Sequence, residues 1–334
     1  TGDGYALAYR AGAELIDMEQ VQFHPTGAVT PYESRGRLIT EAVRGEGGVL
    51  KNSLGERFME KYDPVRMELS TRDIVARAIA TEVLEGRGTE HGGVWLDVTH
   101  LPREKIEERL PVMLNQFLQF GVDIREQPME VAPTAHHFMG GLRITPNTET
   151  TLPNLFAAGE TAGGVHGGNR LGGNALAETQ VFGRRAGLSA GKCESYAKVV
   201  DVKAVKAVED KINSLYNGNA KVSDVRKSMK TIMWNNAGIY RNELDLLVAE
   251  REIGKLIASP LKISSPREIS DALITQNMLL TAKLVIEGAL VRKESRGAHT
   301  RTDIKQNWTN ENSPFGHTFF VKGKCGIELK EDRL

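Results

Sequence analysis

Cationic and polar side chains recur beside glycine or proline in five places. They are His24-Pro25-Thr26-Gly27, Thr40-Glu41-Ala42-Val43-Arg44-Gly45-Glu46-Gly47-Gly48, Arg72-Asp73, His136-His137 ahead of Gly140-Gly141, and His166-Gly167-Gly168-Asn169-Arg170. These residues carry donors and have few apolar neighbours to pack on. Brought together, two imidazoles, a hydroxyl and one or two guanidinium groups would clamp a small dianion through charge-assisted hydrogen bonds worth about 1.5–3 kcal/mol each. Taken singly, each histidine reads more simply as a satisfied structural residue. The histidine spacings lack H-E-x-x-H or comparable metal-ligand logic, so no metal is expected.

A second concentration is glycine. Ten of the 34 glycines fall between Gly159 and Gly191, alongside Asn169, Arg170 and Asn174. Glycine and asparagine at a helix start let backbone N–H groups approach a ligand, and the helix dipole favours negative charge there by about 0.3–1 kcal/mol. An electron-rich ring edge or a phosphate would suit such a cradle; a tight strand-to-helix turn that needs glycine only for packing is the plainer alternative. No G-x-G-x-x-G occurs in the chain, so a dinucleotide fingerprint, if the protein has one, is expected upstream. The opening Thr1-Gly2-Asp3-Gly4, with no initiator Met, likewise suggests that an N-terminal part is missing.

The elements that must position these groups follow an α/β grammar. Thr1 to Asp3 offers an N-cap for a short helix ending near Gly12, and Ala13 to Val21 reads as one or two short strands. From Gln22 to Pro133 the texture changes to loops, as in an inserted domain, with a strand over Arg37 to Val43 and a helix capped by Ser70 or Thr71. That helix places Ile74, Ala78, Ile79 and Val83 on one face and stops at Gly86. Val94 to Val98 reads as a strand, and helices follow at Pro102 and Pro111. Leu155 to Gly159 reads as a short buried strand and Gly172 to Gly191 as a helix. From about Cys193 to Arg292 the pattern is helical, and the longest helix, opened by Pro266, shows an apolar stripe of Ile269, Leu273, Met278 and Leu279. A closing hairpin pairs Phe319 to Val321 with Ile327 to Leu329, joined through Lys322 to Gly326.

Composition bounds the function. The 334 residues are 40% hydrophobic and 26% charged, enough for about two domains with real cores. Forty-three basic against 43 acidic residues leave no net field to favour nucleic acid or an anionic membrane. Cys193 and Cys325 are too few for a disulfide framework, a four-thiolate zinc site or an iron–sulfur cluster, and a reducing, cytoplasmic setting is the default. The sequence reads as having no apolar run near the roughly eighteen residues needed to cross a bilayer, so any membrane association would be peripheral, through a partner.

The motifs Thr1-Gly2-Asp3-Gly4, Gln22-Phe23-His24-Pro25-Thr26-Gly27, Thr40-Glu41 through Gly48, Thr71-Arg72-Asp73, Ala135-His136-His137-Phe138-Met139-Gly140-Gly141, Gly159-Glu160 to Leu176, and Glu294-Ser295-Arg296-Gly297-Ala298-His299 resemble, in order and approximate spacing, the flavoprotein subunit of fumarate reductases and succinate dehydrogenases. The likeness covers nearly the whole chain. It implies an α/β fold: a two-part, Rossmann-like FAD-binding domain (1–19 and 135–192), an inserted α+β capping domain (20–134), a helical domain (193–299) and a small C-terminal segment (300–334). It also implies that Asp3, Glu160, Asn174 and Leu176 lie against FAD, with the Gly173 helix start facing the flavin N1 and O2 edge. His24, Thr40, His136 and Arg170 would bind the two carboxylates of a C4 dicarboxylate. Arg72 would be the proton donor, with Glu41 and Arg44 as relay. The implied activity is fumarate–succinate interconversion, by hydride transfer at flavin N5 and proton transfer from arginine, with electrons exchanged with an iron–sulfur subunit on the inner face of a membrane. L-aspartate oxidase and a non-catalytic FAD-binding scaffold are the rival readings. The segment from Glu160 to Arg170 is one residue shorter than in many membrane-bound members and is similar to the soluble fumarate-reductase branch, which leaves the electron partner open.

Overall fold

The computed structural model describes residues 2–193, 201–306, 312–321 and 323–329. It divides the chain into two compact units, Gln22–His137 and the remainder.

The smaller unit is built on a four-stranded sheet in the order Val21–Ala28, Met129–Phe138, Val94–Asp97, Val49–Lys51. The last three strands pair antiparallel, with Leu96 opposite both Leu50 and Met129. Alternation along these strands turns Val94, Leu96, Leu50, Met129 and Val131 into one core. Helix Arg72–Glu82 packs Val75, Ala78 and Ile79 against it. Ile74 and Val83 lie at its edge, as the helical spacing predicts, and the chain leaves the helix through a wider turn at Val83–Arg87 where Gly86 adopts φ +79°. Helices Arg103–Arg109 and Pro111–Leu118, the second with Pro at its first turn, close the core with Ile106, Met113, Leu114 and Phe117.

The expected strand over Arg37 to Val43 does not form. The amide of Ile39 donates to the carbonyl of Thr26 and Leu38 bridges Gly27, but pairing stops there. Thr40 then enters a short helix, Glu41–Gly45, that a strand would have prevented.

The larger unit holds an antiparallel sheet in the order Lys324–Leu329, Phe315–Val321, Leu15–Ile16, Gly141–Leu142. The closing hairpin is therefore present and longer than its sequence signal, although Lys322 in its turn lies outside the described residues. The first helix, Asp3–Ala11, is preceded by Gly2 at φ +80° with no side-chain cap; Thr1 lies outside the described residues. The stretch Leu155 to Gly159 is not a buried strand. Only Phe156 pairs, with Glu149, and Leu155 and Phe156 are half-buried.

Helices Val202–Ser214, Val222–Ala237, Glu243–Ala258 and Ile269–Val291 form the helical part. The last has no single apolar stripe. Ala272, Thr275, Leu279, Ala282, Leu284, Val285, Ile286 and Ala289 are buried on several sides, while Leu273 is half-buried, because other helices of the unit surround it. Contrary to the reading of the sequence, the span Pro266–Val291 is long and apolar enough to cross a membrane by length and composition; in this fold it is the central helix of a packed core.

Candidate active site

In the smaller unit, the alternation of strand Val21–Ala28 puts Gln22, His24 and Thr26 on one face. His24 is buried, its Nδ1 within 3.3 Å of the Thr26 amide nitrogen, and its ring meets that of His136 edge-on at 5.2 Å. Thr26 Oγ1 donates to the Ile39 carbonyl at 2.8 Å, which fixes the backbone leading into Thr40. Thr40 is exposed and heads the helix whose first residue is Glu41 and whose fourth is Arg44.

Arg72 opens helix Arg72–Glu82 and reaches two acceptors. Its Nε and Nη2 donate to Glu41 Oε2 at 3.2 and 3.0 Å, and its Nη1 to Gln22 Oε1 at 3.4 Å. The same Gln22 oxygen lies 3.1 Å from His136 Nε2. Because a guanidinium has no acceptor, the oxygen side of the Gln22 amide must face Arg72, and His136 must then carry its proton on Nε2. One buried amide oxygen thus ties two cationic or potentially cationic side chains from different elements. The reading of the sequence grouped Gln22 with His24 in a motif but assigned it no role. The two-residue period of a strand was the signal that would have found it.

Arg44 is buried. Its Nη1 donates to the Glu68 carbonyl, while Nε and Nη2 have no partner among the described residues. Burial pulls its pKa below the ordinary arginine range, and the neighbouring Arg72 adds to this against the opposing pull of Glu41 and Glu68. Glu68, which the sequence did not single out, is held in turn by Arg57 at 2.6 and 3.0 Å and by the Leu50 amide.

The larger unit carries the other expected residues. Asp3 accepts from Asn277 Nδ2 at 2.6 Å, a bond that lowers its pKa. Glu160 sits in the turn Gly159–Thr161 and accepts from the Phe138 amide at 2.9 Å, while its carbonyl takes the Tyr5 hydroxyl at 2.6 Å. Helix Asn174–Ala190 starts at Gly173, whose φ of +82° needs glycine, and no side chain caps its first amides. Asn174 is exposed and Leu176 is 77% exposed; Glu178 is the helix's buried residue, and it accepts from the Gly159 amide at 3.0 Å. Burial raises the Glu178 pKa. Arg170 is buried two residues after Gly168.

An uncapped helix start with an αL glycine, next to exposed Asn174 and Leu176, offers N–H donors and an apolar contact to a flat, electron-rich ring. Gly141 and Gly163 cross so closely behind it that a Cβ on Gly141 would lie 2.3 Å from the Thr161 carbonyl oxygen. These features fit the FAD that the sequence implies. The structure thus gathers Glu41, Arg72 and His136 through Gln22, with His24 against His136, in one unit. It sets Asp3, Glu160, Arg170, Asn174 and Leu176 in the other.

A family described as FAD binding domain matches residues 1–176, and one described as fumarate reductase flavoprotein C-term matches residues 226–331. A chain of the CoM/CoB fumarate reductase of Methanothermobacter marburgensis is 55% identical over 91% of this chain and 57% of its own length. The mitochondrial succinate dehydrogenase flavoprotein subunit of Oryza sativa is 40% identical over 91% of this chain and 52% of its own. A variant of the FrdA chain of E. coli quinol fumarate reductase superposes with a TM-score of 0.87 at 33% identity, covering 98% of this chain and 61% of that one. The chain therefore spans between about half and three-fifths of the length of these relatives. With two matched regions in sequence order and a shared fold, the chain belongs to the fumarate reductase and succinate dehydrogenase family of FAD-binding flavoproteins.

Proposed function

We propose that this chain takes part in the flavin-dependent interconversion of fumarate and succinate, with Arg72 as the proton donor. The observation that carries this reading is the placement of Arg72 between Gln22 and Glu41, with Arg44 buried on the same short helix as Glu41. FAD, when bound, supplies the hydride donor or acceptor. The chain's residues do the rest. His24, Thr40 and His136 of one unit and Arg170 of the other bind the carboxylates. Asp3, Glu160, Asn174 and Leu176 hold the cofactor, with the Asn174 helix start favouring negative charge on the flavin. During reduction, charge grows on the alkene carbon next to the one that accepts hydride, and Arg72 delivers a proton to it.

An arginine is a poor acid in water, with a pKa above 12, but a developing carbanion is a strong enough base to take its proton. Glu41 is within hydrogen-bond reach to return that proton, and Arg44 behind it has a lowered pKa. In succinate oxidation the same groups run in reverse.

The names of the relatives, which describe parts of larger enzymes, support electron exchange with an iron–sulfur partner subunit, and with it a cytoplasmic placement on the inner face of a membrane. We further propose the division into FAD-binding (1–19, 135–192), capping (20–134), helical (193–299) and C-terminal (300–334) parts.

The test is fumarate-dependent reoxidation of reduced flavin in the full-length, FAD-loaded protein, with malonate as competitive ligand. Fumarate turnover supports the reading. Reduction by L-aspartate without fumarate turnover would replace it with the oxidase reading, and no response to any dicarboxylate would leave a scaffold.

A further inference from the structure

The loop that ends in Arg170 is gripped from behind by a distant stretch of chain. The Gly168 carbonyl accepts from the Ala298 amide at 2.8 Å. With its amide nitrogen turned toward them, Gln20 donates to the carbonyls of Gly168 and Arg296, both at 3.1 Å. Between those contacts Gly297 adopts φ +57°, and a Cβ there would stand 2.2 Å from the Gly168 oxygen. The two backbones touch because neither has a side chain at the crossing.

The gripping stretch is itself rigid. Arg296 and His299 exchange backbone hydrogen bonds at 2.8 and 2.9 Å. Arg296 Nε donates to Glu294 Oε1 at 2.6 Å. Arg292 bridges Glu294 at 2.8 Å and Glu19 at 2.6 Å, and these last three side chains are almost fully buried. Glu19 adjoins Gln20, so one buried ionic cluster fixes both jaws of the grip. Nothing in the reaction uses these groups directly. They lie behind the loop, and Arg170, two residues on, is itself buried.

We propose that Gly297 and Gln20 are positioning residues that set where the Arg170 guanidinium sits and thereby the affinity for dicarboxylate; this rests on the carboxylate-binding role proposed for Arg170. A guanidinium displaced by about 1 Å loses its paired geometry, a change that costs roughly tenfold to a hundredfold in such sites.

The test uses the full-length, FAD-loaded protein carrying Gly297→Ala, Gln20→Met or Arg170→Lys. For the first two, the KM for fumarate and the Kd for malonate should rise about tenfold or more. Flavin stoichiometry and kcat at saturating fumarate should stay near wild type. A merely structural role would lower flavin content or melting temperature and leave KM of the folded enzyme unchanged, which would overturn the proposal. Should Gly297→Ala fail to fold, Gln20→Met, which conserves volume, decides alone. Arg170→Lys separates the two layers. If it leaves malonate binding unchanged, the carboxylate role itself fails. If it weakens malonate while Gln20→Met and Gly297→Ala do not, the positioning proposal fails and the carboxylate role stands.

Discussion

Replacing Arg72 by lysine separates acid strength from geometry. Lysine has an ordinary pKa of about 10.4 against more than 12 for arginine, so if acidity alone limited proton delivery the variant would be faster. The structure argues for the opposite. Arg72 uses two nitrogens on Glu41 and a third on Gln22, with the rigid plane of the guanidinium spanning both acceptors. A single ammonium nitrogen on a shorter arm keeps at most one acceptor in line, so at least one charge-assisted bond worth about 1.5–3 kcal/mol is lost along with the aim of the remaining proton. Because the Glu41 side chain is half-exposed and its attraction screened, the lower end of that range applies to the Glu41 contact. Adding misdirected proton transfer, whose usual worth is about 10²–10⁴, we expect kcat to fall about a hundredfold to a thousandfold. The assay is fumarate-dependent oxidation of a reduced viologen by the full-length, FAD-loaded protein. Malonate binding is followed in parallel by the flavin absorbance and is expected to change less than about threefold, since Arg72 is not assigned to the carboxylates. A variant that keeps more than about a tenth of wild-type kcat refutes the role of Arg72 as acid.

Gln22→Leu removes the acceptor shared by Arg72 and His136 while conserving bulk; leaving those donors unmatched costs about 1–3 kcal/mol, so kcat/KM should fall roughly tenfold to a hundredfold, and wild-type kinetics would show that the amide is a bystander. Glu82, buried and held by Arg87, Asn52 and Tyr62, has its pKa pulled down to about 2 by those bonds. Its stabilising contribution, roughly 3 kcal/mol, is present above the unfolded carboxylate value near 4.3 and disappears as pH falls toward 2; Glu82→Gln should therefore lower the melting temperature by several degrees at pH 7 and by much less near pH 3. His299 is fully buried, its Nδ1 taking a proton from Arg241 at 2.8 Å, and burial, reinforced by Arg241, Arg292 and Arg301, drives its pKa well below the ordinary value. An unfolded chain would bind a proton there first, so this site stabilises fully above about pH 6.5 and progressively less below it; His299→Gln should flatten the fall in melting temperature between about pH 7 and 5, and an unchanged slope would refute the neutral tautomer.

What the sequence made legible was local. Thr71 before Arg72, the spacing of Ala78 and Ile79, and Pro111 at a helix start all act within a few residues, and each element formed where those signals lie. The failures are tertiary. Arg37 to Val43 alternates like a strand, yet one backbone exchange between Thr26 and Ile39 uses up the available edge and frees Thr40 to start a helix. The central helix reads as striped and is buried on several sides because three other helices surround it, a fact its own residues cannot announce. For the site, residue types in motifs identified His24, Glu41, Arg72 and His136. The acceptor joining them needed the strand period as well, and Glu68 and Gln20 gave no signal because their partners lie far off in sequence.

Two buried arginines show how the fold distinguishes structure from chemistry using one residue type. Arg292 is as hidden as Arg44, but Glu19, Asp17 and Glu294 surround it, and their attraction outweighs the effect of burial and lifts its pKa above the ordinary range. Such a guanidinium cannot exchange a proton, and its neutralised cluster only holds backbones in place. Arg44 receives one carbonyl, keeps two N–H groups without partners among the described residues, and has its pKa lowered by burial. Folding tolerates an incompletely matched buried cation at a cost of about 1–3 kcal/mol per unmet donor, and marginal stability makes that cost visible. The smaller unit has carboxylates at hand, Glu68 among them, but Glu68 gives its side chain to Arg57 and only its carbonyl to Arg44. Arg44 is thereby left easier to deprotonate than any arginine on the surface, which is the property a relay between Glu41 and solvent requires and a structural ion pair would remove.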